Sequence, residues 1–255
     1  MDLRVRRSLT IAAGAALLAV APALAQPSAP PPLIQQDAAI KVSDHVFVIL
    51  DNNVGFVPNV GIVVGERATL IVDTGLGERN GAIVLGEAHK VGDNTKFYLT
   101  ATHFHPEHDL GATAFPDDAE MVRWRAQQAE AETDGAQMIE RFSSFSAANA
   151  ELLAGARLRE PDMLFDDEVR LDLGGVHVRV KGVGPNHTRG DTVMFVEEDR
   201  VLFTGDVVMS VFPAAPATLS DFGPVIVARP CTKLTLRIFA IVPVPPVSFS
   251  TTESL

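Results

Sequence analysis

The sequence holds a single cysteine, Cys231, so no disulfide can form within the chain and its stability has to come from a buried core. Tryptophan and tyrosine occur once each, as Trp124 and Tyr98, and the apolar stretches around them place both in that core. No apolar run is long enough to cross a bilayer as a helix: the one near the N-terminus, from about Leu9 to Val20, falls short of the ~20 residues required. Basic residues are scarce beside acids, 21 Lys and Arg against 32 Asp and Glu, a formal net charge of −11. A surface of that sign disfavours nucleic acid and anionic membranes as partners, and a small-molecule substrate fits it better. It also leaves carboxylates everywhere, so counting acids cannot locate a site. Histidine is absent after His187, the last of the seven.

What is present begins with a leader. Residues 1–25 carry a basic start (Arg4, Arg6, Arg7), the short apolar run and a small-x-small ending, Ala23-Leu24-Ala25. That pattern reads as a signal peptide cleaved after Ala25, sending the chain to the periplasm or outside the cell. The Arg6-Arg7 pair hints at the twin-arginine route. Residues 26–40 read as a Pro-rich linker with nothing to pack.

From there the pattern is that of strands: HVFVIL (45–50), VGIVVG (60–65) and TLIVDTG (69–75), the last two joined by a short polar turn as in a hairpin. Residues 78–92 read as helix, KFYLTAT (96–102) as a buried strand and AEMVRW (119–124) as another. Residues 126–155 have helical composition, with Gly135 and the Ser143-Ser144 region as breaks. After Pro161 strands return: LFDDEVRLDLGG, VHVRVKGVG, DTVMFVEEDR and VLFTGD. Two blocks of strands, each with helical material, imply one α/β domain of two packed sheets with outer helices.

The chemistry concentrates in THFHPEHDLGA (102–112), which follows the buried strand. His103 and His105 alternate across one residue and point the same way on an extended segment. Glu107 and His108 follow in a turn that can fold further ligands back to the same place. Imidazoles and carboxylates suit zinc, with iron or manganese as alternatives. Two later loops add to it: GPNHTRGDT places His187 between strands, and VLFTGD ends in Asp206 at a strand tip. His45, His89 and His177 read as surface imidazoles, and Met209 and Phe212 as core.

In order, TLIVDTG, HFHPEHD, NHTRGD and FTGD resemble the metallo-β-lactamase superfamily over about residues 40–215. The resemblance implies a four-layer αββα sandwich over residues 41–222, with its site along one edge between the sheets. It makes His103, His105 and His187 ligands of a first metal, His108 a ligand of a second, and Asp206 the bridging carboxylate. Asp73 falls beside the site, to orient a ligand histidine, and Asp191 serves the loop rather than the chemistry. The reaction implied is hydrolysis of an ester, lactone, thioester or β-lactam by metal-bound hydroxide, with zinc, two ions in an intact site. Asp206 would orient the nucleophile and Glu107 would either bind the second metal or move a proton. An iron-dependent oxygenase is the rival from the same fold.

The chain departs from that family twice. The common motif is His-x-His-x-Asp-His, and Glu107 stands where the Asp belongs, its carboxylate displaced by roughly a bond length where sites tolerate about 0.2 Å. The family's last histidine, after FTGD, is missing, which leaves a metal-binding but impaired member as a further alternative. Residues 223–255 form a divergent tail, with five prolines and one acid, Glu253. A foreign or altered-frame end would look like this; so would a short variant whose last strand is VIVAR or LTLRIFAIV. Cys231 reads as an ordinary thiol rather than a replacement ligand.

Overall fold

Period-2 alternation of β-branched and aromatic residues sets two sheets. The computed structural model of the chain describes residues 31–208 and the short strand 226–228. In the first sheet, β1 (Ala39–Lys41), β2 (Val46–Ile49), β3 (Val60–Val64) and β4 (Thr69–Val72) run antiparallel in sequence order. The hairpin expected at 60–75 is present, with Val63 opposite Leu70. Helix α1 (Glu78–Val91) crosses over to β5 (Phe97–Thr100), which lies parallel to β4. The connection from β5 contains α2 (Pro106–Asp109) and a 3-10 turn, Leu110–Ala114. Two further parallel strands, β6 (Glu120–Trp124) and β7 (Met163–Phe165), complete seven, with α3 (Arg125–Ser144) and α4 (Ala147–Leu152) between them.

The second sheet has the order β12-β11-β10-β9-β8. Its strands β8 (Glu168–Asp172), β9 (His177–Gly182), β10 (Thr192–Val196) and β11 (Val201–Phe203) are antiparallel; β12 (Ile226–Ala228) joins β11 in parallel. The stretch LFDDEVRLDLGG therefore divides, β7 going to the first sheet and β8 to the second.

The sheets meet face to face. Val46, Val48, Leu70 and Val72 of one pack with Val178, Val180, Met194 and Phe203 of the other in one buried cluster. Each such side chain stabilises by about 1.5–3 kcal/mol relative to exposure. The alternate residues of β10 and β11, Val193, Phe195 and Leu202, face away into a second cluster, as the pleat requires. Ile62, Ile71 and Leu99 on the outer face of the first sheet pack beneath Val84 and Ala88 of α1. This is the mixed α/β sandwich anticipated from the motifs.

Two expectations need correction. Residues 31–40 do pack: Ile34 is buried, its N–H donates to Asn80 Oδ1 at 2.8 Å, and Ala39 begins β1. The Glu87 carboxylate holds the rest of the stretch, accepting from the N–H groups of Asp37, Ala38 and Ala39. Gly135 does not break the helix; α3 runs through it because Leu158 packs there, 2.7 Å from where a Cβ would stand. The break comes after Ser144, where Ser146 caps α4 by accepting from Asn149 N–H. The short strand β12 lies within VIVAR, the segment read as a last strand of a short variant, and pairs with β11. The signal peptide, Met209, Phe212 and Cys231 lie outside the described residues.

Candidate metal centre

Parallel strands β4 and β5 end at the same edge of the first sheet, and both ends turn polar. Asp73 follows β4 with φ of 62°, a left-handed conformation that a non-glycine residue holds only when its surroundings enforce it. The enforcement is visible: its Oδ1 accepts from Thr102 N–H at 2.7 Å, and its Oδ2 from Thr102 Oγ1 at 3.0 Å and from His108 Nδ1 at 2.9 Å. After β5 the chain leaves the sheet through Ala101–His105, and Pro106 in the first turn starts α2. This brings His103, His105 and His108 to one point.

The second sheet supplies the other donors. His187 sits in the β9–β10 loop, which is folded around Asp191. That carboxylate accepts from the N–H groups of Asn186 (3.0 Å), His187 (2.7 Å) and Thr188 (3.0 Å), and from Thr188 Oγ1 at 2.6 Å. Asp206 lies in the 3-10 turn Gly205–Val207 just after β11. Loop and strand end are stitched together across the sheets: Thr192 N–H donates to Thr102 O at 2.7 Å, and Gln127 Nε2 donates to Ala101 O (3.0 Å) and Gly190 O (3.1 Å).

Five donors converge. His103, His105 and His187 offer nitrogen atoms within 4.8 Å of one another, and so do His103, His108 and Asp206 with their nitrogens and carboxylate oxygen. His105 Nδ1 and His187 Nε2 are 3.3 Å apart; Asp206 stands 3.8 Å from His108 Nε2 and 3.7 Å from His187 Nε2. His103, common to both groups, is buried, and its Nε2 has no hydrogen-bond partner among the described residues. Glu107 joins neither group. Its carboxyl lies beside His108 and Asp206, close enough for their charges to act on it, with Oε2 buried and unpartnered.

Charge is frustrated here. Burial, and then the positive charge of the neighbouring histidines, pushes His103 well below the usual imidazole range and His105 down to about 4. Burial opposes the cation at His108 too, but the carboxylates of Asp73, Asp206 and Glu107 prevail and raise it to about 10. Burial pushes Glu107 up to about 7, against the pull of His108.

Two cavities flank the cluster. One, of about 660 Å³, opens beside Phe104, His105, Met138, Arg141 and His187. The other, of about 200 Å³, lies on the side of Phe56, Glu107, His108 and Asp206. Phe56, on the β2–β3 loop, stacks on Phe145 (centroids 5.2 Å apart) and meets Phe142 edge-on, so aromatic rings wall the mouth of the site.

The model of the metallo-beta-lactamase superfamily matches residues 53–233. The chain belongs to that superfamily. Its match ends inside the stretch read as a divergent tail and takes in β12. Among curated proteins, the human acyl-coenzyme A thioesterase MBLAC2 is 26% identical over 165 residues, 59% of this chain and 58% of that protein. The chain thus spans under two thirds of that relative's length. Among solved structures, the DIM-1 metallo-beta-lactamase superposes with a TM-score of 0.58 at 16% identity, covering 80% of this chain and 92% of that one. BJP-1, a subclass B3 metallo-beta-lactamase of Bradyrhizobium japonicum, gives 0.53 at 17%, covering 78% and 79%. Identities this low speak for the fold.

Within this superfamily fold the residues singled out in the sequence, Asp73, His103, His105, His108, His187, Asp191 and Asp206, are gathered at one edge between the sheets; Glu107 is adjacent. His45, His89 and His177 lie away from it, His45 against Asp199 and His177 against Glu198. Sequence reading passed over Thr102, Gln127 and the fully buried pair Arg123–Asp109, because nothing in a linear spacing shows which polar groups will meet. Gly205 is a further case. Its φ of 49° suits glycine, and a Cβ there would collide with the Thr102 side chain. Gly205→Ala is expected to destabilise the protein by about 1–3 kcal/mol in urea denaturation. A change within about 0.5 kcal/mol, the range of ordinary surface substitutions, would show that the turn carrying Asp206 does not rest on Thr102.

Proposed function

We propose that this chain is an exported metal-dependent hydrolase that cleaves an activated acyl bond in a small-molecule substrate. The observation that carries the reading is His103 Nε2: a buried nitrogen without a partner among the described residues, on the histidine that both groups of donors share. A buried polar atom left so costs about 1–3 kcal/mol, a cost that a bound cation removes. Three imidazoles, a fourth, and a carboxylate suit zinc, with iron or manganese as alternatives.

His103, His105 and His187 would hold a first ion; His108 and Asp206 would serve a second. A divalent cation so held supplies a water of lowered pKa and polarises a carbonyl. The chain's own groups do the rest. His108 gives up its proton to become a ligand, and Asp73 keeps its Nδ1–H pointed away from the site. Glu107, poised to titrate near neutral pH, delivers a proton to the leaving group. The aromatic wall of Phe56, Phe142 and Phe145 takes up the acyl portion and excludes water.

Ester, thioester, lactone and β-lactam all fit this chemistry. The thioesterase activity named for the human relative favours a thioester, and the fold alone does not choose. The N-terminal stretch through Ala25 supports export. A second reading, of a member with the first ion only, is favoured by the position of Glu107 outside both donor groups found among the described residues.

Elemental analysis of the purified mature protein, with hydrolysis of an acyl thioester, a lactone and a chromogenic β-lactam on the same sample, tests this. Two zinc ions per chain with turnover of one substrate is the expected result. One ion without turnover would establish the second reading, and iron with oxygen consumption would replace hydrolysis by oxygenase chemistry.

A further inference from the structure

The hydroxyl of Thr102 occupies a position that the proposed function does not use. It lies 3.0 Å from Asp73 Oδ2, 3.2 Å from His103 Nδ1 and 3.4 Å from His108 Nδ1, and Thr102 is only 2% exposed. A hydroxyl has one proton to give and can accept from others. His108 Nδ1 has its own acceptor, the same Asp73 oxygen at 2.9 Å. The contest is therefore between Asp73 and His103 for the Thr102 proton.

Counting donors decides it. If Thr102 gave its proton to His103 Nδ1, the neutral imidazole would carry its own proton on Nε2. That nitrogen is buried and without an acceptor among the described residues, so a buried N–H would go unpaired there while the carboxylate lost a donor. If Thr102 instead gives its proton to Asp73, the hydroxyl accepts from His103 Nδ1–H. Every group is then satisfied except His103 Nε2, which is left as a bare lone pair facing the other imidazoles.

We infer that Thr102 is a positioning residue that relays the Asp73 carboxylate to His103, so that one carboxylate fixes the tautomer of two histidines: His108 directly and His103 through the hydroxyl. The inference rests on the metal-centre reading above, but its first test does not need a metal. Two further contacts hold the relay in place. Thr102 N–H donates to Asp73 Oδ1 at 2.7 Å, pinning the carboxylate from the backbone, and the Gly205 turn lies directly on the Thr102 side chain. The hydroxyl thus sits between the Asp73 turn, the histidine segment and the Asp206 turn. In a site whose ligands come from separate elements, a group touching three of them sets their mutual geometry.

The test has two arms. In the metal-free wild-type protein, long-range ¹H–¹⁵N NMR of the histidine side chains should show His103 neutral with its proton on Nδ1; a proton on Nε2 would overturn the relay whatever any variant does. Zinc affinity, by competition with a chromogenic chelator, should then fall about 10–100-fold in Thr102→Val, which keeps the shape and loses the hydroxyl, and return to near the wild-type value in Thr102→Ser. Thermal melting of both variants separates a folding defect from a lost relay. Equal affinity in Thr102→Val and wild type would sink the inference. A wild-type protein that binds no zinc yet shows the Nδ1 proton would instead count against the hydrolase reading and leave the relay standing.

Discussion

His103→Ala is expected to weaken zinc binding by more than about 100-fold and to abolish hydrolysis, while His89→Ala leaves both unchanged. Loss of a group that merely orients a ligand already costs 10–100-fold in affinity. His103 is asked for more, since it belongs to both donor groups. Removing it leaves His105 and His187 on one side and His108 and Asp206 on the other, neither a closed set. His89 is the matched control: an exposed histidine on α1 whose ring meets Phe97 edge-on, 5.5 Å between centroids. The readout separates metal from fold. Zinc at a hundred times its dissociation constant should stabilise the wild type and His89→Ala by about 2.7 kcal/mol, and His103→Ala hardly at all. Equal loss of the zinc effect in both variants would refute the site.

Asp109→Ala should be the most destabilising single change outside the metal ligands, by about 3–5 kcal/mol in urea unfolding. Arg123 Nη1 and Nη2 donate to the two Asp109 oxygens at 2.6 and 3.1 Å, and both side chains are wholly shielded from solvent. Taking the carboxylate away strands a guanidinium in the interior with Arg159 O, 3.3 Å away, as its remaining named acceptor. The double variant Asp109→Ala/Arg123→Met should recover much of the loss, because the buried charge goes with its partner. The exposed pair Arg125–Asp166 gives the contrast: Asp166→Ala should cost no more than about 1 kcal/mol. Similar losses at the two aspartates would mean that burial is not what makes the Asp109 pair matter. Since Asp109 follows His108 directly, its loss should also lower zinc affinity.

Much of this was legible in the chain itself, for a physical reason. Strand periodicity depends on nearest neighbours, so β2 to β6 and β8 to β11 emerge from alternation, and the histidine motifs carry their own spacing. The errors share a different cause. Gly135 read as a helix break because helix propensity is local, whereas Leu158 packing against it is not. The linker read as featureless because its anchors are remote in sequence: Ile34 N–H finds Asn80 across 46 residues, and the N–H groups of Asp37, Ala38 and Ala39 find the Glu87 carboxylate. Arg123 and Asp109 looked like two more charges in an acidic chain, and Thr102 like the residue before a motif. Only when β5 and β6 lie side by side does the arginine face the aspartate. Glu107, read as a second-metal ligand or a proton carrier, stands beside the donor groups on α2, in the turn where the sequence places it.

The division of the donors between the sheets has a practical consequence. Each convergent group takes one member, His187 or Asp206, from the second sheet and the rest from the first, so neither is complete in a molecule whose sheets have not docked. On the proposed reading, bound metal would therefore be a head-count of correctly assembled molecules. A preparation with full secondary structure but slipped sheets would give an undiminished circular-dichroism signal and a fractional metal content, and the fraction would report its yield of native protein.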